Sequence, residues 1–208
     1  MTPHSRFLAH LRTLERTLPN ARFGIALSGG CDSAYLLSAM REAEIDCKAY
    51  IVRTAFQPEQ DIADALVIAE HAHAEALVLD IDVFSHDDLC ANPPQRCYLC
   101  KRIMFEAIRR AMENDGRTIL ADGTNLDDDP ARRPGFKALT EYSVRSPLRE
   151  AGMTKEDIRA ASREMGIFTA DKPNFSCWAT RIPAGQTITP AALAAARAAH
   201  APAMAHNS

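Results

Sequence analysis

The sequence predicts an α/β fold, in which a doubly wound and mostly parallel sheet carries helices on both faces. Two observations predict it. Short apolar runs typical of buried strands alternate along the chain with amphipathic helical patterns. The first run ends in the glycine loop Ser28-Gly29-Gly30-Cys31-Asp32-Ser33, and a helical pattern begins directly after it. In such βαβ units ligands bind at the carboxyl ends of the strands, so we expect the site at that edge.

The individual elements follow from the spacing of apolar residues. Residues 5–18 indicate an amphipathic helix, because Phe7, Leu11 and Leu14 recur every three or four positions and Pro19 follows. Strands are predicted over residues 23–27, 46–56, 76–79 and 118–121. Further helices are predicted over about residues 32–44, 58–69, 97–108 and 155–165. The last of these begins with a Thr-x-x-Asp capping-box pattern and is closed by a glycine.

Composition indicates an ordinary globular protein with no strong field for nucleic acid. The 208 residues are 47% hydrophobic and 25% charged, enough chain for one domain with a real core. A net charge of −3 does not favour binding to a polyanion. The sequence has no signal-peptide pattern and no apolar stretch of membrane-spanning length. Six cysteines without a secretory signal point to a reducing compartment, so we expect a cytoplasmic protein.

The glycine loop has the residue types of an anion site. Gly29 and Gly30 permit positive φ and leave no Cβ between backbone and ligand, so N–H groups at the helix start can converge on phosphate. Asp32 and Ser33 can cap the helix or reach Mg²⁺. The loop lacks the Gly-Lys-Ser/Thr ending of a Walker loop, so no lysine in it reaches a γ-phosphate. The alternative is a plain Gly-Gly turn in which Asp32 is only an N-cap.

A second polar loop, from Asp122 to Asp129, follows the fourth predicted strand. Its carboxylates and hydroxyls can bind Mg²⁺, orient a nucleotide or cap helices. The alternative is a solvated turn, which Asp, Asn and Gly often form. Arginine-bearing loops at residues 132–137 and 144–148 suit an acidic substrate, although a solvated basic face explains them equally well.

Three cysteines are candidates for chemistry. Cys97 and Cys100 form a Cys-x-x-Cys pair on the first turn of a predicted helix, where thiol pKa values are lowered. The pair supplies two ligands, too few for zinc or a cluster, so a structural or redox pair remains an alternative. Cys177 stands beside Trp178 with Arg181 four residues on, which favours a reactive or ligating thiol over core packing. The others, Cys31, Cys47 and Cys90, are assigned to packing.

The glycine loop resembles, in every fixed position, the Ser-Gly-Gly-x-Asp-Ser loop of the PP-loop ATP pyrophosphatases. The motifs taken in order resemble the ATP-dependent sulfur transferase (LarE) family of that superfamily. They are Ser28–Ser33, Asn92-Pro93, Arg96–Lys101, Asp122–Asp128, Arg133–Gly135, Val144–Leu148, Lys172-Pro173, Cys177–Pro183 and Thr189-Pro190. The resemblance implies the adenine nucleotide alpha hydrolase-like (PP-loop/HUP) fold.

The resemblance also implies an enzyme of nickel-pincer cofactor synthesis. Family members adenylate a carboxylate of pyridinium dicarboxylate mononucleotide, release pyrophosphate, and replace the AMP with sulfur to give a thiocarboxylate. We expect ATP to be bound by Ser28, Gly29, Gly30, Asp32, Ser33, Gly123, Thr124 and Asn125. We expect Asp32 and Asp128 to hold Mg²⁺. The substrate is expected to bind Arg133, Arg145 and Arg181.

The family contains two versions of the sulfur source. In one, the cysteine matched by Cys177 attacks the acyl-adenylate and gives up its sulfur, becoming dehydroalanine. In the other, three cysteines hold a four-iron, four-sulfur cluster, whose remaining iron is open to carry a sulfide. Cys97, Cys100 and Cys177 match the three-cysteine pattern, so the cluster version is favoured.

We expect a PP-loop domain over residues 1–175 and a remnant of the family's C-terminal segment over residues 176–208. That segment helps family members to bind substrate and assemble, so a homo-oligomer is expected to be weakened here. The expected partner is a small nucleotide-like carboxylate, not a membrane or a nucleic acid. The rival hypotheses are a PP-loop tRNA thiolation enzyme and a non-catalytic nucleotide- or metal-binding module.

Overall fold

The computed structural model describes residues 2–131 and 133–204. Within these residues a four-stranded, all-parallel sheet has the strand order β3-β2-β1-β4. Its strands are β1 (Phe23–Ala26), β2 (Cys47–Arg53), β3 (Ala76–Asp80) and β4 (Ile119–Ala121). The chain order reverses beside β1, which has β2 on one side and β4 on the other. The parallel sheet with flanking helices confirms the predicted α/β fold. Ligands bind at such switch points, so the candidate site is the edge beyond β1 and β4.

The helices are α1 (Pro3–Thr17), α2 (Cys31–Glu42), α3 (Glu59–His71), α4 (Asp87–Cys90), α5 (Arg96–Asn114), α6 (Phe136–Glu141), α7 (Pro147–Glu150), α8 (Lys155–Glu164) and α9 (Pro190–Met204). Single 3-10 turns cover Val83–Ser85 and Trp178–Arg181. The predicted capping box is present at the start of α8, where Thr154 and Asp157 bond each other's backbone N–H groups. Gly166, at φ +68°, follows the end of that helix.

Two predicted boundaries differ from the structure for identifiable reasons. Strand β2 ends at Arg53 rather than Phe56, because the Gln57 side chain accepts hydrogen bonds from the Thr54 N–H and hydroxyl and turns the chain. Helix α2 begins at Cys31, one residue earlier than predicted, with Gly30 as its N-cap.

Alternation along β2 shows how the sheet is covered on both faces. Ala49 and Ile51 join the cluster formed with α1, α2, α3 and α8, whereas Tyr50 and Val52 pack against α5 and α6. A third cluster packs the segment after residue 176 onto the carboxyl edge of the sheet. Its buried members are Phe56, Val83, Leu89, Trp178, Ala179, Ile182, Ile188 and Leu193. The domain boundary after residue 175 stays a prediction.

Two sequence-based assignments fall outside the described residues: Arg132 in the first arginine loop, and residues 205–208 at the end of the predicted C-terminal remnant. Among the helices of the described chain, none has the length and apolar character needed to cross a membrane.

Candidate functional site

The glycine loop folds back onto the first turn of α2. The Ser28 N–H donates to the Ser33 hydroxyl at 3.1 Å, and that hydroxyl donates to the Gly30 carbonyl at 3.2 Å. Gly29 has φ +77°, and a Cβ there would lie 2.0 Å from the carbonyl oxygen of Asp61. Only glycine fits at this position, because both the backbone angle and the neighbouring carbonyl exclude a side chain.

Asp32 does not cap α2, so the capping alternative for this residue is wrong. It lies inside the first turn, after the N-cap Gly30, and α2 has no side-chain cap. Its two carboxylate oxygens accept hydrogen bonds from the Lys155 ammonium at 2.6 and 2.7 Å. The Asn125 amide also donates to Asp32, at 3.3 Å. Asp32 therefore joins the glycine loop to α8 and to the loop after β4.

Lys172 holds the glycine loop against α3. Its ammonium donates to Asp61 at 2.7 Å, to Asp64 at 2.5 Å and to the carbonyl of Gly29 at 3.0 Å. Burial alone would lower the pKa of Lys172, but the hydrogen bonds to Asp61 and Asp64 outweigh it and raise that pKa. The lysine is thus a fixed positive charge beside the loop at neutral pH.

The polar loop after β4 is tightly ordered rather than a solvated turn. Asp122 accepts from the Thr124 hydroxyl at 2.6 Å and from the Ser146 hydroxyl at 2.8 Å. Asp128 is buried and accepts from the Asn125 N–H at 3.0 Å. A Cβ on Gly123 would lie 2.7 Å from the backbone nitrogen of Ser33. The two predicted nucleotide loops are therefore in direct contact.

The three predicted substrate arginines have different surroundings. Arg133 pairs with Asp128 at 2.7 Å, at the rim of the polar loop. Arg145 makes two hydrogen bonds to Glu150, at 2.8 and 2.6 Å, and so has a protein partner already. The Arg181 guanidinium lies over the ring of Phe175, at 5.8 Å from its centroid. The structure brings Arg133 alone of the three into contact with a predicted Mg²⁺ ligand.

Two of the three candidate cysteines, Cys100 and Cys177, pack against the third cluster, and Cys97 precedes Cys100 by three residues on α5. Cys97 is exposed, and Cys100 and Cys177 are half-buried. Burial raises the pKa of the Cys100 thiol to about 12, and the nearby Cys177 and Cys97 act in the same direction. Burial also raises the pKa of Cys177, against the lowering effect of the Arg96 charge. Among the described residues, however, no three His, Cys, Asp or Glu side chains are placed to hold a single metal ion.

The lack of a single-ion site among the described residues does not exclude a cluster, because a cluster needs a different arrangement of thiolates from a single ion. In a four-iron cluster each cysteine binds a different iron, so its thiolates do not surround one point. The three thiols are of the donor type that such a cluster requires. The residues thus fit the chemistry of the group, and the cluster itself stays a prediction.

Two contacts join the cysteine region to the carboxyl edge of the sheet. The Trp178 N–H donates to the carbonyl of Phe56, beyond β2, at 2.8 Å. The Lys101 ammonium lies 3.9 Å from the Asp122 carboxylate, beyond β4. A cleft of about 710 Å³ opens at the ends of β2 and β3, and its lining includes Arg53, Thr54, Asp80 and Arg197. The cysteines and the nucleotide loops thus lie along the same edge.

Comparison with known proteins places this geometry in a family, although no family model matches the chain. The chain is 32% identical over 187 residues to an uncharacterized protein of Synechocystis, covering 85% of this chain and 69% of that protein. An uncharacterized protein of Methanocaldococcus jannaschii is 30% identical over 176 residues, covering 85% and 67%. The pyridinium-3,5-bisthiocarboxylic acid mononucleotide synthase of Lactiplantibacillus plantarum is 29% identical over 189 residues, covering 88% and 68%.

The chain belongs to the ATP-dependent sulfur transferase (LarE) family. LarE proteins are part of the PP-loop superfamily, and a more distant member is also similar to this chain. The tRNA-specific 2-thiouridylase MnmA of Azorhizobium caulinodans is 27% identical over 195 residues, covering 74% of this chain. The family resemblance, the PP-loop fold and the assignment as an ATP-dependent enzyme are confirmed.

Sequence reasoning missed the cations that organise this LarE-family site. The local pattern around Lys155 indicates only the start of a helix, and Lys172 belongs only to the Lys172-Pro173 motif. Their partners stand 123 and 108 or more residues away, so no local spacing indicates the pairs. The one available signal is that Asp61 and Asp64 are three apart, which places both on one face of α3.

Proposed function

We propose that this chain adenylates a carboxylate of pyridinium dicarboxylate mononucleotide with ATP and converts it to a thiocarboxylate. The observation that carries the proposal is that Cys100 and Cys177 pack against one cluster, which is joined to the carboxyl edge of the sheet that carries the two candidate nucleotide loops. Supporting it is the similarity to the L. plantarum synthase, whose name states such a thiocarboxylic product.

The glycine loop and the polar loop support the adenylation step. Backbone N–H groups of the loop and the first turn of α2 would bind the pyrophosphate part of ATP. Lys172 would hold the loop in shape during attack of a substrate carboxylate oxygen on the α-phosphorus. The bond between the α-phosphorus and the bridging oxygen then breaks, and pyrophosphate leaves. Asp32 and Asp128 are the carboxylates that would hold Mg²⁺, a cation that prefers such oxygen ligands.

Arg133 and Arg181 are the proposed substrate contacts. Guanidinium groups suit carboxylates and phosphates because their paired N–H donors match two oxygens. Arg133 stands beside the polar loop, and Arg181 is the last residue of the 3-10 turn that begins after Cys177. Arg145 would bind substrate only after leaving Glu150, so we assign it the weakest role.

The sulfur step has two forms that the cysteines support. Cys97, Cys100 and Cys177 would hold a four-iron, four-sulfur cluster, which supplies an open iron that can carry a sulfide. Alternatively, the Cys177 sulfur attacks the acyl carbon and AMP leaves, which gives a thioester. A base then removes the Cα proton of Cys177 while the Cβ–S bond breaks, which leaves the sulfur on the substrate as the thiocarboxylate and converts Cys177 to dehydroalanine. The packing of Cys100 and Cys177 against one cluster, with Cys97 three residues from Cys100 on α5, supports the first form.

The test is anaerobic purification followed by reaction with ATP, Mg²⁺ and pyridinium dicarboxylate mononucleotide. We expect bound iron and sulfide, pyrophosphate release, and a thiocarboxylate product seen by mass spectrometry. A Cys177 peptide lacking the elements of H₂S would assign the sacrificial form instead. Cys90→Ser is the matched control, since a serine can keep the hydrogen bond that Cys90 donates to the Val83 carbonyl.

Two results would reject the proposal. ATP binding without pyrophosphate release would leave only a nucleotide-binding module. A salt-dependent complex with tRNA, together with thiolated tRNA as product, would assign the function named for the A. caulinodans relative instead.

A further inference from the structure

Asn92 is an unusual residue at the start of the cysteine region. It is fully buried, at 0% exposure, and its backbone has φ +53°, in the left-handed region. Its side-chain amide donates to the carbonyls of Ile182 at 3.2 Å and Pro183 at 2.8 Å. Its own carbonyl accepts from the Gly185 N–H at 2.8 Å. Asn92 thus binds the segment after Cys177 through both its side chain and its backbone.

Arg96 extends this network to the helix that carries the other two cysteines. One of its guanidinium nitrogens donates to the Asn92 side-chain oxygen at 2.7 Å and to the carbonyl of Ala179 at 2.9 Å. Arg96 is the first residue of α5, directly before Cys97. The Asn92 side chain therefore links α5 to residues 179–183: its oxygen accepts from Arg96, and its nitrogen donates to Ile182 and Pro183.

The connection reaches Cys177 through a short rigid element. The Thr180 N–H and hydroxyl both donate to the Cys177 carbonyl, at 3.0 and 2.7 Å, within the turn that Arg96 binds at Ala179. On the other side, Cys100 lies one helical turn along α5 from Arg96. The relative position of Cys177 and Cys100 is thus set by the same two side chains.

We propose that Asn92 is a positioning residue that holds Cys177 against the Cys97–Cys100 pair. Neither aspartate nor alanine replaces it, because the position needs an amide that donates to two carbonyls while accepting from Arg96. Asn92 touches neither nucleotide loop in these contacts, so it acts on the sulfur step alone. The effect of Asn92 on sulfur transfer rests on the proposed function, whereas its effect on the distance between Cys100 and Cys177 does not.

The test measures thiol proximity directly, in reduced protein without metal, ATP or substrate. Dibromobimane becomes fluorescent only when it has alkylated two thiols. Once mass spectrometry has separated the Cys97–Cys100 product, the rate of Cys100–Cys177 bridging reports how often these two thiols meet. Asn92→Gly keeps the positive φ and removes only the side chain. We expect bridging, mapped by mass spectrometry, to slow roughly tenfold, as the loss of two or three hydrogen bonds predicts.

The matched control is Asn20→Gly, an exposed asparagine that also has positive φ, at +67°. Its bridging rate should equal that of the unmodified protein. If Asn92→Gly does not fold by circular dichroism, Arg96→Lys serves instead, since it keeps the charge but loses the paired contacts to Asn92 and Ala179. A folded variant of either kind with unchanged bridging overturns the proposal.

The catalytic readout separates this inference from the proposed function. We expect Asn92→Gly to keep pyrophosphate release and to lose thiocarboxylate yield by about the same tenfold factor. If the unmodified protein releases no pyrophosphate, the proposed function fails, while the bridging comparison still decides whether Asn92 positions Cys177. Equal loss of both half-reactions in a folded Asn92→Gly variant contradicts a role confined to the sulfur step.

Discussion

The ammonium of Lys155 lies 2.6 and 2.7 Å from the two carboxylate oxygens of Asp32, across 123 residues of sequence. Both side chains are mostly buried, with 21% and 24% of their surface exposed. Lys155 therefore occupies both carboxylate oxygens of the residue that we propose as a Mg²⁺ ligand.

Asp32→Ala is predicted to reduce activity far more than stability. The Lys155 side chain is still 21% exposed, so its ammonium can reach water once Asp32 is gone, and the free energy of unfolding should fall by only about 1 kcal/mol. Pyrophosphate release should fall at least about a hundredfold, as the loss of a group that acts in the transition state does. Urea unfolding and a coupled pyrophosphate assay measure the two effects. Arg110→Ala, which breaks the exposed pair with Glu106, is the control. Parallel losses of folding and activity would reduce Asp32 to a structural role.

Gly30→Ala is predicted to weaken ATP binding without loss of stability. A Cβ at Gly30 meets nothing closer than the Ser28 hydroxyl at 3.6 Å, so the protein itself accommodates it. The methyl group would stand where backbone N–H groups approach phosphate. Calorimetry of ATP binding and thermal unfolding test this. Gly123→Ala is the contrast, since its Cβ would meet the Ser33 nitrogen at 2.7 Å and should lower stability as well. Normal ATP affinity in Gly30→Ala would place the phosphates elsewhere.

Asp128→Asn is predicted to weaken Mg²⁺-dependent ATP binding while the protein stays folded. The amide removes the negative charge that pairs with Arg133 at 2.7 Å but keeps an oxygen for the Asn125 N–H. The dissociation constant for ATP should rise about tenfold in Mg²⁺ and little in EDTA. Asp129→Asn, on the exposed next residue, is the control. An unchanged constant in Mg²⁺ means that Asp128 only orders its loop.

The nucleotide products are predicted to be AMP and pyrophosphate. The glycine loop has no Walker-type lysine to stabilise transfer of the γ-phosphate, and LarE-family membership agrees with cleavage next to the α-phosphate. Chromatography of the reaction mixture distinguishes AMP from ADP. ADP as the main product of pure enzyme would contradict the assignment of the loop.

Serine substitution is predicted to affect Cys97, Cys100 and Cys177 alike. If all three bind one cluster, each single change to serine should abolish brown colour and sulfide-dependent thiolation. The absorption spectrum, iron content and product yield measure this after anaerobic purification. Full activity in both Cys97→Ser and Cys100→Ser would show that Cys177 acts alone, with about one turnover per protein.

The sequence by itself determined the four strands, the five helices α1, α2, α3, α5 and α8, and the positions of the two candidate nucleotide loops. Strand β2 and helices α1 and α8 have local patterns of burial and capping that need no distant partner. The positive φ of Gly29 also follows from local sequence, because a serine and two glycines between a strand and a helix are typical of a tight turn.

Only the tertiary structure decided which side chains meet. Asp32 meets Lys155, Lys172 meets Asp61 and Asp64, and Asn92 meets the segment after Cys177. Each contact is a hydrogen bond or ion pair between distant parts of the chain. Such a bond leaves no repeating pattern of residue types in the local sequence from which it could be predicted. The packing of the sheet, rather than any neighbouring residue, brings these groups within about 3 Å of one another.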